Sequence, residues 1–304
     1  MTIPYKKAIC YSGYRKGQSP RKKIYPSDQE VLEDLQMLKN FVSYIRMYDT
    51  SFHVKQVLKL IKEHHIPLQV MLGVEPLGEI DNPNCHYGGR HSDEDILRHQ
   101  TLNYQQLDEM IDLAKQYDSI VLAVSVGNEN TSDWHHNLMP ESSLVKHVEY
   151  VRNHIQKPIT FCEGAYYWKH NHELAKAVDF ISIHSYPMWQ KIPHKQSVEA
   201  TINDYESIKT LFPDKQVLFT ELGWATTTEG DMMLDEASEL NQKLYLEKVT
   251  AWAERQNITM FLFEAFDESW KGSDNPNEPE KHWGIFDELR QPKLWQKEKP
   301  TYEL

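Results

Sequence analysis

The sequence predicts a single (β/α)8 TIM barrel, an α/β fold. Eight short runs with strand character alternate with helical patterns over 304 residues. The runs are nearly continuous in apolar residues, as strands are when both of their faces are covered. No stretch rich in proline, glycine and serine divides the chain. Alternation of this kind over about 300 residues is typical of a parallel barrel, so we expect one domain, 1–304.

The predicted strands are short and rich in β-branched and aromatic residues, which favour the extended conformation. In chain order they are KAICYSGY (7–14), VSYIRMYD (42–49), PLQVMLGV (67–74), IVLAVSVGN (120–128), PITFCEG (158–164), DFISIHSY (179–186), QVLFTELG (216–223) and ITMFLFEAF (258–266).

The segments between the strands show the helical period, because apolar residues recur three or four positions apart. Each such set lies on one face of a predicted helix. The sets are Val31, Leu35 and Leu38; Val54, Val57, Leu58 and Ile61; Leu107, Met110, Ile111 and Ala114; Val198, Ile202 and Tyr205; and Tyr245, Val249 and Trp252.

The main alternative fold is a doubly wound parallel sheet, which usually carries a glycine-rich turn after its first strand. The segment at that place reads YSGYRKGQSP and contains no G-x-G-x-x-G. The barrel is therefore the better prediction. Two of its connections are long, 75–100 after strand 3 and 265–290 after strand 8. Long connections in compact domains are more often functional than idle.

The charge balance argues against several classes of partner. The formal net charge is −12, which disfavours nucleic acid and anionic membranes and favours a neutral partner. No apolar run approaches the roughly 18 residues of a membrane span. The cysteines Cys10, Cys85 and Cys162 form no disulfide pattern, and the first residues show no apolar signal core. We expect a cytoplasmic protein.

In a barrel of this kind the functional side chains lie at the C-terminal ends of the strands. Carboxylates dominate the polar residues at the predicted ends, and the patterns HExxH, CxxC and P-loop do not occur. The histidine pairs at 64–65 and 135–136 lack a third ligand at a suitable spacing. We therefore expect acid–base chemistry without a cofactor or a metal ion. The residues at the ends are Arg46, Asp49, Glu75, Asn128, Glu129, Glu163, His184, Tyr186, Glu221, Glu264, Asp267 and Glu268.

Aromatic residues cluster at the same strand ends. Flat rings beside carboxylates are typical of a sugar cleft, because the C–H faces of a pyranose pack on rings while its hydroxyls bond to acids. The combination predicts a glycosidase. The aromatic residues concerned are Tyr11, Tyr14, Tyr166, Tyr167, Trp168, Tyr186, Trp189, Trp224, Trp270 and Trp283.

Several motifs resemble those of glycoside hydrolase family 17, the β-1,3-glucanase family. They are CYSGY, IRMYD, SVGNE, DFISIHSYP, FTELGW and FEAFDESWK with EPEKHWGIF, and they occur in order over nearly the whole chain. The resemblance implies a retaining hydrolase of β-1,3-glucosidic bonds in laminari-type glucans, with a barrel fold. One departure is Ala225, which stands where the family usually has proline after the tryptophan of strand 7.

The resemblance also implies the catalytic pair. Glu221 would be the nucleophile and Glu129 the acid/base, at the ends of strands 7 and 4. Retaining glycosidases hold two such carboxylates about 5–5.5 Å apart, which a rigid barrel can do for residues far apart in sequence. Glu221 must begin ionised and Glu129 protonated. Asn128 would bond the sugar 2-hydroxyl, and Tyr186 would orient Glu221 through its hydroxyl.

The remaining expected substrate-binding residues come from the resemblance and from positions at strand ends. Glu268, Lys271 and Glu280 match an acid–lysine–acid set of the family, in which Lys271 would set the charge of the acids and Glu268 or Glu280 would bond Glu129 or a sugar hydroxyl. The aromatic residues Tyr11, Trp189, Trp224 and Trp270 follow strand ends and are expected to contact sugar rings.

The mode of action stays open between several alternatives. If the connection 75–100 folds across one end of the cleft, cleavage proceeds from a chain terminus and releases glucose, which is the preferred expectation. The alternatives are an endo-acting β-1,3-glucanase, a β-1,3-glucanosyltransferase, in which a sugar replaces water as acceptor, and a carbohydrate-binding protein without catalysis. Retention of both Glu129 and Glu221 argues against the last.

Overall fold

The computed structural model describes residues 2–86, 88–229 and 236–297. Its strands form one closed parallel barrel in the order β1 to β8, which confirms the predicted fold. The strands are β1 (Ala8–Cys10), β2 (Tyr44–Arg46), β3 (Gln69–Gly73), β4 (Val121–Asn128), β5 (Ile159–Gly164), β6 (Phe180–Ser185), β7 (Gln216–Leu222) and β8 (Met260–Leu262).

Helices surround the barrel, and each predicted helical face lies on one of them. They are α1 (Asp28–Leu38), α2 (Phe52–Glu63), α3 (Asp93–Gln116), α4 (Glu141–Arg152), α5 (Ala165–Trp168), α6 (His172–Ala177), α7 (His194–Leu211), α8 (Glu239–Gln256) and α9 (Leu294–Lys297). One further turn of 3-10 helix spans Pro279–Lys281. None of the helices in the described ranges is long and apolar enough to cross a membrane.

Several predicted boundaries are wrong, among them the end of the connection after β3 and the extents of strands β1, β2 and β8. The connection after β3 ends at Ser92 rather than at residue 100, because Ser92 caps α3. Its hydroxyl accepts from the Asp95 backbone N–H at 3.1 Å, and the Asp95 carboxylate accepts from the Ser92 N–H at 3.2 Å. This reciprocal capping pattern begins the helix. Strand β8 is only Met260–Leu262, although its apolar run extends to Phe266.

The core has two parts. The larger part packs the outer faces of the strands against the helices. The smaller part contains residues of alternating strand positions, which point into the barrel. Because successive side chains of a strand face opposite ways, Cys10, Thr160, Cys162 and Ser182 fill the interior, while their neighbours meet the helices. A filled interior confines the functional groups to the C-terminal face.

Candidate active site

The barrel brings Glu129 and Glu221 together. Glu129 directly follows β4, and Glu221 is the penultimate residue of β7. One carboxylate oxygen of each residue and a ring nitrogen of His184, on β6, all lie within 4.8 Å of one another. Two carboxylates at this separation can act on opposite sides of one glycosidic carbon.

The backbone at Glu129 takes an uncommon conformation. Its φ is +56°, in the left-handed region that non-glycine residues occupy rarely. Hydrogen bonds on both sides hold the turn. The Glu129 N–H donates to the Cys162 carbonyl at 2.8 Å, and the Asn128 N–H donates to the Asn130 side chain at 2.8 Å. The side-chain amide of Asn130 in turn donates to the carbonyls of Pro76 and Asn137. The turn directs Glu129 toward β7.

Glu221 is buried and ionised. Arg46 donates to one of its carboxylate oxygens at 2.6 Å, Tyr48 donates to the same oxygen at 2.9 Å, and Tyr186 donates to the other at 2.6 Å. Burial alone would raise the pKa of Glu221, but the charges of His184 and Arg46, with the two tyrosine hydrogen bonds, lower it. An ionised, fixed carboxylate is what a nucleophile at this place requires.

His184 bridges the two glutamates. Its Nδ1 lies 2.8 Å from a Glu129 oxygen and 3.5 Å from a Glu221 oxygen. Burial would lower the pKa of His184, but the charges of Glu221 and Glu129 raise it to about 10. The sequence left the role of this histidine undecided between a structural residue and a substrate contact. In the structure it contacts both members of the pair.

The same cluster also bears on metal binding. Glu129, His184 and Glu221 are the one group of three potential ligands found among the described residues. The set fits a metal ion poorly, because a protonated imidazole cannot ligate and the Arg46 guanidinium already pairs with Glu221. The positive charge that a metal would bring is supplied by these two side chains.

Asn128 lies where a sugar hydroxyl can reach it. Its side-chain oxygen accepts a hydrogen bond from Arg46, so its amide N–H groups remain to donate. The residue is only partly buried. This orientation suits the expected contact with the substrate.

Lys271 forms the centre of a second acidic group. Its ammonium lies 2.5 Å from a Glu264 oxygen and 2.8 Å from a Glu268 oxygen. Glu268 also accepts hydrogen bonds from the Ser12 hydroxyl and, at 3.0 Å, from the Trp270 indole. Burial raises the pKa of Glu264 well above its ordinary value despite Lys271, whereas Lys271 and these donors outweigh burial and lower that of Glu268. Lys271 thus pairs with two acids whose pKa values shift in opposite directions.

This network corrects one expectation. Glu268 is almost fully buried, and its carboxylate already interacts with Lys271, Ser12 and Trp270. A carboxylate so engaged positions Trp270 and Lys271 rather than binding a sugar hydroxyl. Glu280 differs, because it is only partly buried. Burial raises its pKa to about 7, and the charges of Glu221 and Glu129 add to the rise while Lys271 opposes it.

Two of the expected aromatic contacts lie at the barrel mouth. Trp189, after β6, is 45% exposed, and its ring centre is 6.2 Å from that of Trp283. Trp270 is partly buried and lies 5.6 Å, ring to ring, from Tyr14. Both present ring surface to solvent. Tyr186 does not act as a platform, since its hydroxyl is bound to Glu221.

Tyr11 and Trp224 are wrongly predicted as substrate contacts, because both are fully buried. The Tyr11 hydroxyl donates to Asp34 of α1 at 3.2 Å, and the Trp224 indole donates to the Glu236 carbonyl at 3.0 Å. Both side chains point outward into the layer between barrel and helices. The alternation of side chains along β1 and β7 could have indicated that these two residues point away from the cleft. Glu221 and Trp224, for example, cannot share one face of a regular strand.

The sequence prediction also missed Tyr48. It follows β2 and donates to Glu221, and the Arg46 guanidinium lies over its ring at 4.3 Å. Tyr48 stands two residues after Arg46 in IRMYD, so the two side chains lie on the same face of the strand. This spacing could have indicated that Tyr48 belongs to the site. The structure thus surrounds Glu221 with two tyrosines rather than one.

A closed barrel with two convergent glutamates, one ionised against an arginine, defines the class of glycosidase barrels. Residues 8–284 match the model of the BtgE/BtgC glycoside hydrolase domain. The chain therefore belongs to the BtgE/BtgC glycoside hydrolase family.

Two related proteins have names that describe glucan 1,3-β-glucosidases. The chain is 28% identical over 297 residues to a "probable glucan endo-1,3-beta-glucosidase" of Aspergillus clavatus, covering 88% of this chain and 39% of that protein. It is 25% identical over 270 residues to a "glucan 1,3-beta-glucosidase" of Schizosaccharomyces pombe, covering 82% of this chain and 75% of that one. The chain thus spans about two fifths of the Aspergillus relative's length.

Solved structures share the fold. An endo-laminarinase from Formosa superposes with a TM-score of 0.77 at 23% identity, covering 92% of this chain and 83% of that one. A family 17 β-1,3-glucanosyltransferase from Rhizomucor miehei gives 0.73 at 20% identity, covering 95% of each. At these identities the likeness establishes the barrel and not the reaction.

Proposed function

We propose that this chain is a retaining glycoside hydrolase that cleaves β-1,3-glucosidic bonds of laminari-type glucans. The observation that carries the proposal is the approach of a Glu129 and a Glu221 oxygen within 4.8 Å. Retaining enzymes place their carboxyl groups about 5–5.5 Å apart, whereas inverting enzymes need about 6.5–9.5 Å to admit a water molecule. The donors around Glu221 further support its role as nucleophile.

In the proposed first step, Glu221 attacks the anomeric carbon and Glu129 gives its proton to the leaving glycosidic oxygen. The bond to the leaving sugar breaks, and a bond between the sugar and Glu221 forms. In the second step Glu129 takes a proton from water, which displaces Glu221 from the anomeric carbon. The released Glu221 carboxylate again pairs with Arg46 and accepts hydrogen bonds from Tyr48 and Tyr186. His184 contacts both Glu129 and Glu221 and fixes their relative position.

The substrate is proposed from chemistry and from relatives. A cleft with several carboxyls on a chain of net charge −12 favours neutral sugars. The names of the Aspergillus and Schizosaccharomyces relatives refer to β-1,3-glucan, and the Rhizomucor glucanosyltransferase has been solved with laminaritriose. The cytoplasmic location and the one-domain organisation stay predictions.

The release of glucose from a chain terminus remains the preferred mode. In support of this mode, the connection after β3 is hydrogen-bonded to the connection after β4, and together they form a wall beside Glu129. Asn82 donates to the carbonyls of Asp133 and His135 at 2.7 and 3.2 Å, and the Glu79 N–H donates to the Leu138 carbonyl at 3.0 Å. A wall here can close one end of the cleft.

A time course on laminarihexaose tests this mode. We expect glucose and a pentasaccharide as the first products. An early mixture of di-, tri- and tetrasaccharides, with laminarin viscosity falling before reducing sugar is released, would show endo cleavage. Products longer than the substrate would show a glucanosyltransferase, for which the exposed Trp189 offers an acceptor platform. No turnover by the folded chain would favour a binding protein.

The pH dependence of kcat/KM is expected to be bell-shaped. The acid limb should lie below 4.5, the ordinary value for a glutamate, because His184 and Arg46 lower the pKa of Glu221 despite its burial. The alkaline limb should report loss of the Glu129 proton. Initial rates on laminaritriose at low concentration between pH 3 and pH 9 measure both limbs. A profile without an alkaline limb would contradict the role of Glu129.

A further inference from the structure

The buried carboxylate of Glu163, on β5, has no part in the mechanism above. It is fully buried and accepts four hydrogen bonds. One oxygen accepts from the Thr131 N–H at 3.1 Å and the Thr131 hydroxyl at 2.7 Å. The other accepts from the Ser132 hydroxyl at 2.8 Å and the Gly164 N–H at 2.6 Å. Four donors fix both oxygens of this carboxyl group in place.

Three of these donors belong to the turn that carries Glu129. Thr131 and Ser132 follow Glu129 by two and three residues, and the Ser132 N–H donates to the Glu129 carbonyl at 3.1 Å. Since Glu129 has a left-handed φ, the turn needs external contacts to keep this conformation. Through these hydrogen bonds Glu163 connects the turn to β5. Loss of these contacts would let Glu129 move relative to Glu221.

Glu163 and Glu129 also interact by charge. Burial raises the pKa of Glu163 to about 7, and the charge of Glu129 adds to this rise, while Thr131, Gly164 and Ser132 oppose it. This charge interaction agrees with the hydrogen bonds in placing Glu163 next to the Glu129 turn. The Tyr167 hydroxyl of α5 also faces Glu163, and Glu129 meets His184, Glu221 and Glu280 on its other sides.

We infer that Glu163 is a positioning residue that holds the Glu129 turn, so that the Glu129 carboxyl stays where it can give its proton to the leaving group. The inference rests on the proposed function, in which Glu129 is the acid/base. His184 and Glu280 act on Glu129 from the cleft side. Glu163 holds the Glu129 turn from the protein side, through hydrogen bonds with Thr131 and Ser132.

Replacement of Glu163 by glutamine tests the inference, because Glu163→Gln keeps the shape, but the glutamine NH2 group cannot accept the hydrogen bonds that hold the turn. We expect kcat/KM for laminaritriose to fall about tenfold or more, since its leaving group needs a proton from a correctly placed Glu129. An aryl β-laminaribioside with a good leaving group should lose much less. A purely structural role would lower both rates by the same factor.

Two further variants serve as controls. Glu79→Gln makes the same change at another buried carboxylate, which accepts from Asn103 at 3.0 Å and Ser143 at 2.6 Å, and it should leave the ratio of the two rates unchanged. Ser132→Ala removes one hydrogen bond between the turn and Glu163, so the ratio should change in the same direction by less. If Glu163→Gln fails to fold, Ser132→Ala decides the question.

The outcomes separate this inference from the proposed function. If the wild-type chain is active on laminari-oligosaccharides and neither Glu163→Gln nor Ser132→Ala changes the ratio of its rates on laminaritriose and on the aryl laminaribioside, the inference is overturned and the function stands. If the folded wild-type chain does not cleave these substrates, the proposed function fails first, and the inference fails with it.

Discussion

Replacement of Glu221 by alanine is expected to lower kcat by about 10⁵-fold or more while the barrel stays folded, because no other carboxylate can form the glycosyl-enzyme. Added azide should restore part of the activity. Azide enters the space vacated by the side chain and attacks the face that Glu221 attacked, so the product should be the α-glycosyl azide. NMR of the azide product measures the anomeric configuration.

The Glu221→Ala result needs a control for stability, since Arg46 loses its buried partner. A buried charge left unpaired typically costs about 3–5 kcal/mol, so thermal unfolding should show a lower midpoint with a cooperative transition. Glu221→Gln keeps the volume and should be equally inactive but should not respond to azide. A β-glycosyl azide from Glu221→Ala would mean that Glu221 is not the nucleophile.

Replacement of Glu129 by alanine should have a different signature. For natural oligosaccharides the rate should fall by about 10²- to 10⁴-fold, the usual contribution of a general acid. Aryl glycosides with good leaving groups should still form the glycosyl-enzyme, so a fast burst followed by slow turnover is expected. Azide then replaces water in the second step and gives the β-glycosyl azide. Stopped-flow absorbance of the released phenol measures the burst.

The matched control for Glu129→Ala is Trp189→Ala, which removes an exposed ring after β6. It should change KM for long oligosaccharides without creating a burst on aryl substrates. If Glu129→Ala lowers the rates of good and poor leaving groups by the same factor, Glu129 is not the acid.

Much of the candidate site could be predicted because it depends on short motifs at strand ends. Glu129 and Glu221 each end a nearly continuous apolar run, and parallel strands of a barrel end on the same face. Lys271 and Glu280 were predicted by family resemblance, and both lie at the barrel mouth. The errors at Tyr11 and Trp224 came from assigning every aromatic residue near a strand end to the cleft, without following the side-chain alternation along the strand.

The sequence by itself determined the fold class and the order of its strands, because apolar periodicity is a local property of the chain. It also determined which residue types meet at the C-terminal face. The charge states were decided only by the tertiary structure. Arg46 of β2 and His184 of β6 surround Glu221 and lower its pKa despite burial, whereas burial beside Lys271 raises the pKa of Glu264. Burial and neighbouring charges are properties of packed space, and residues distant in sequence supply them.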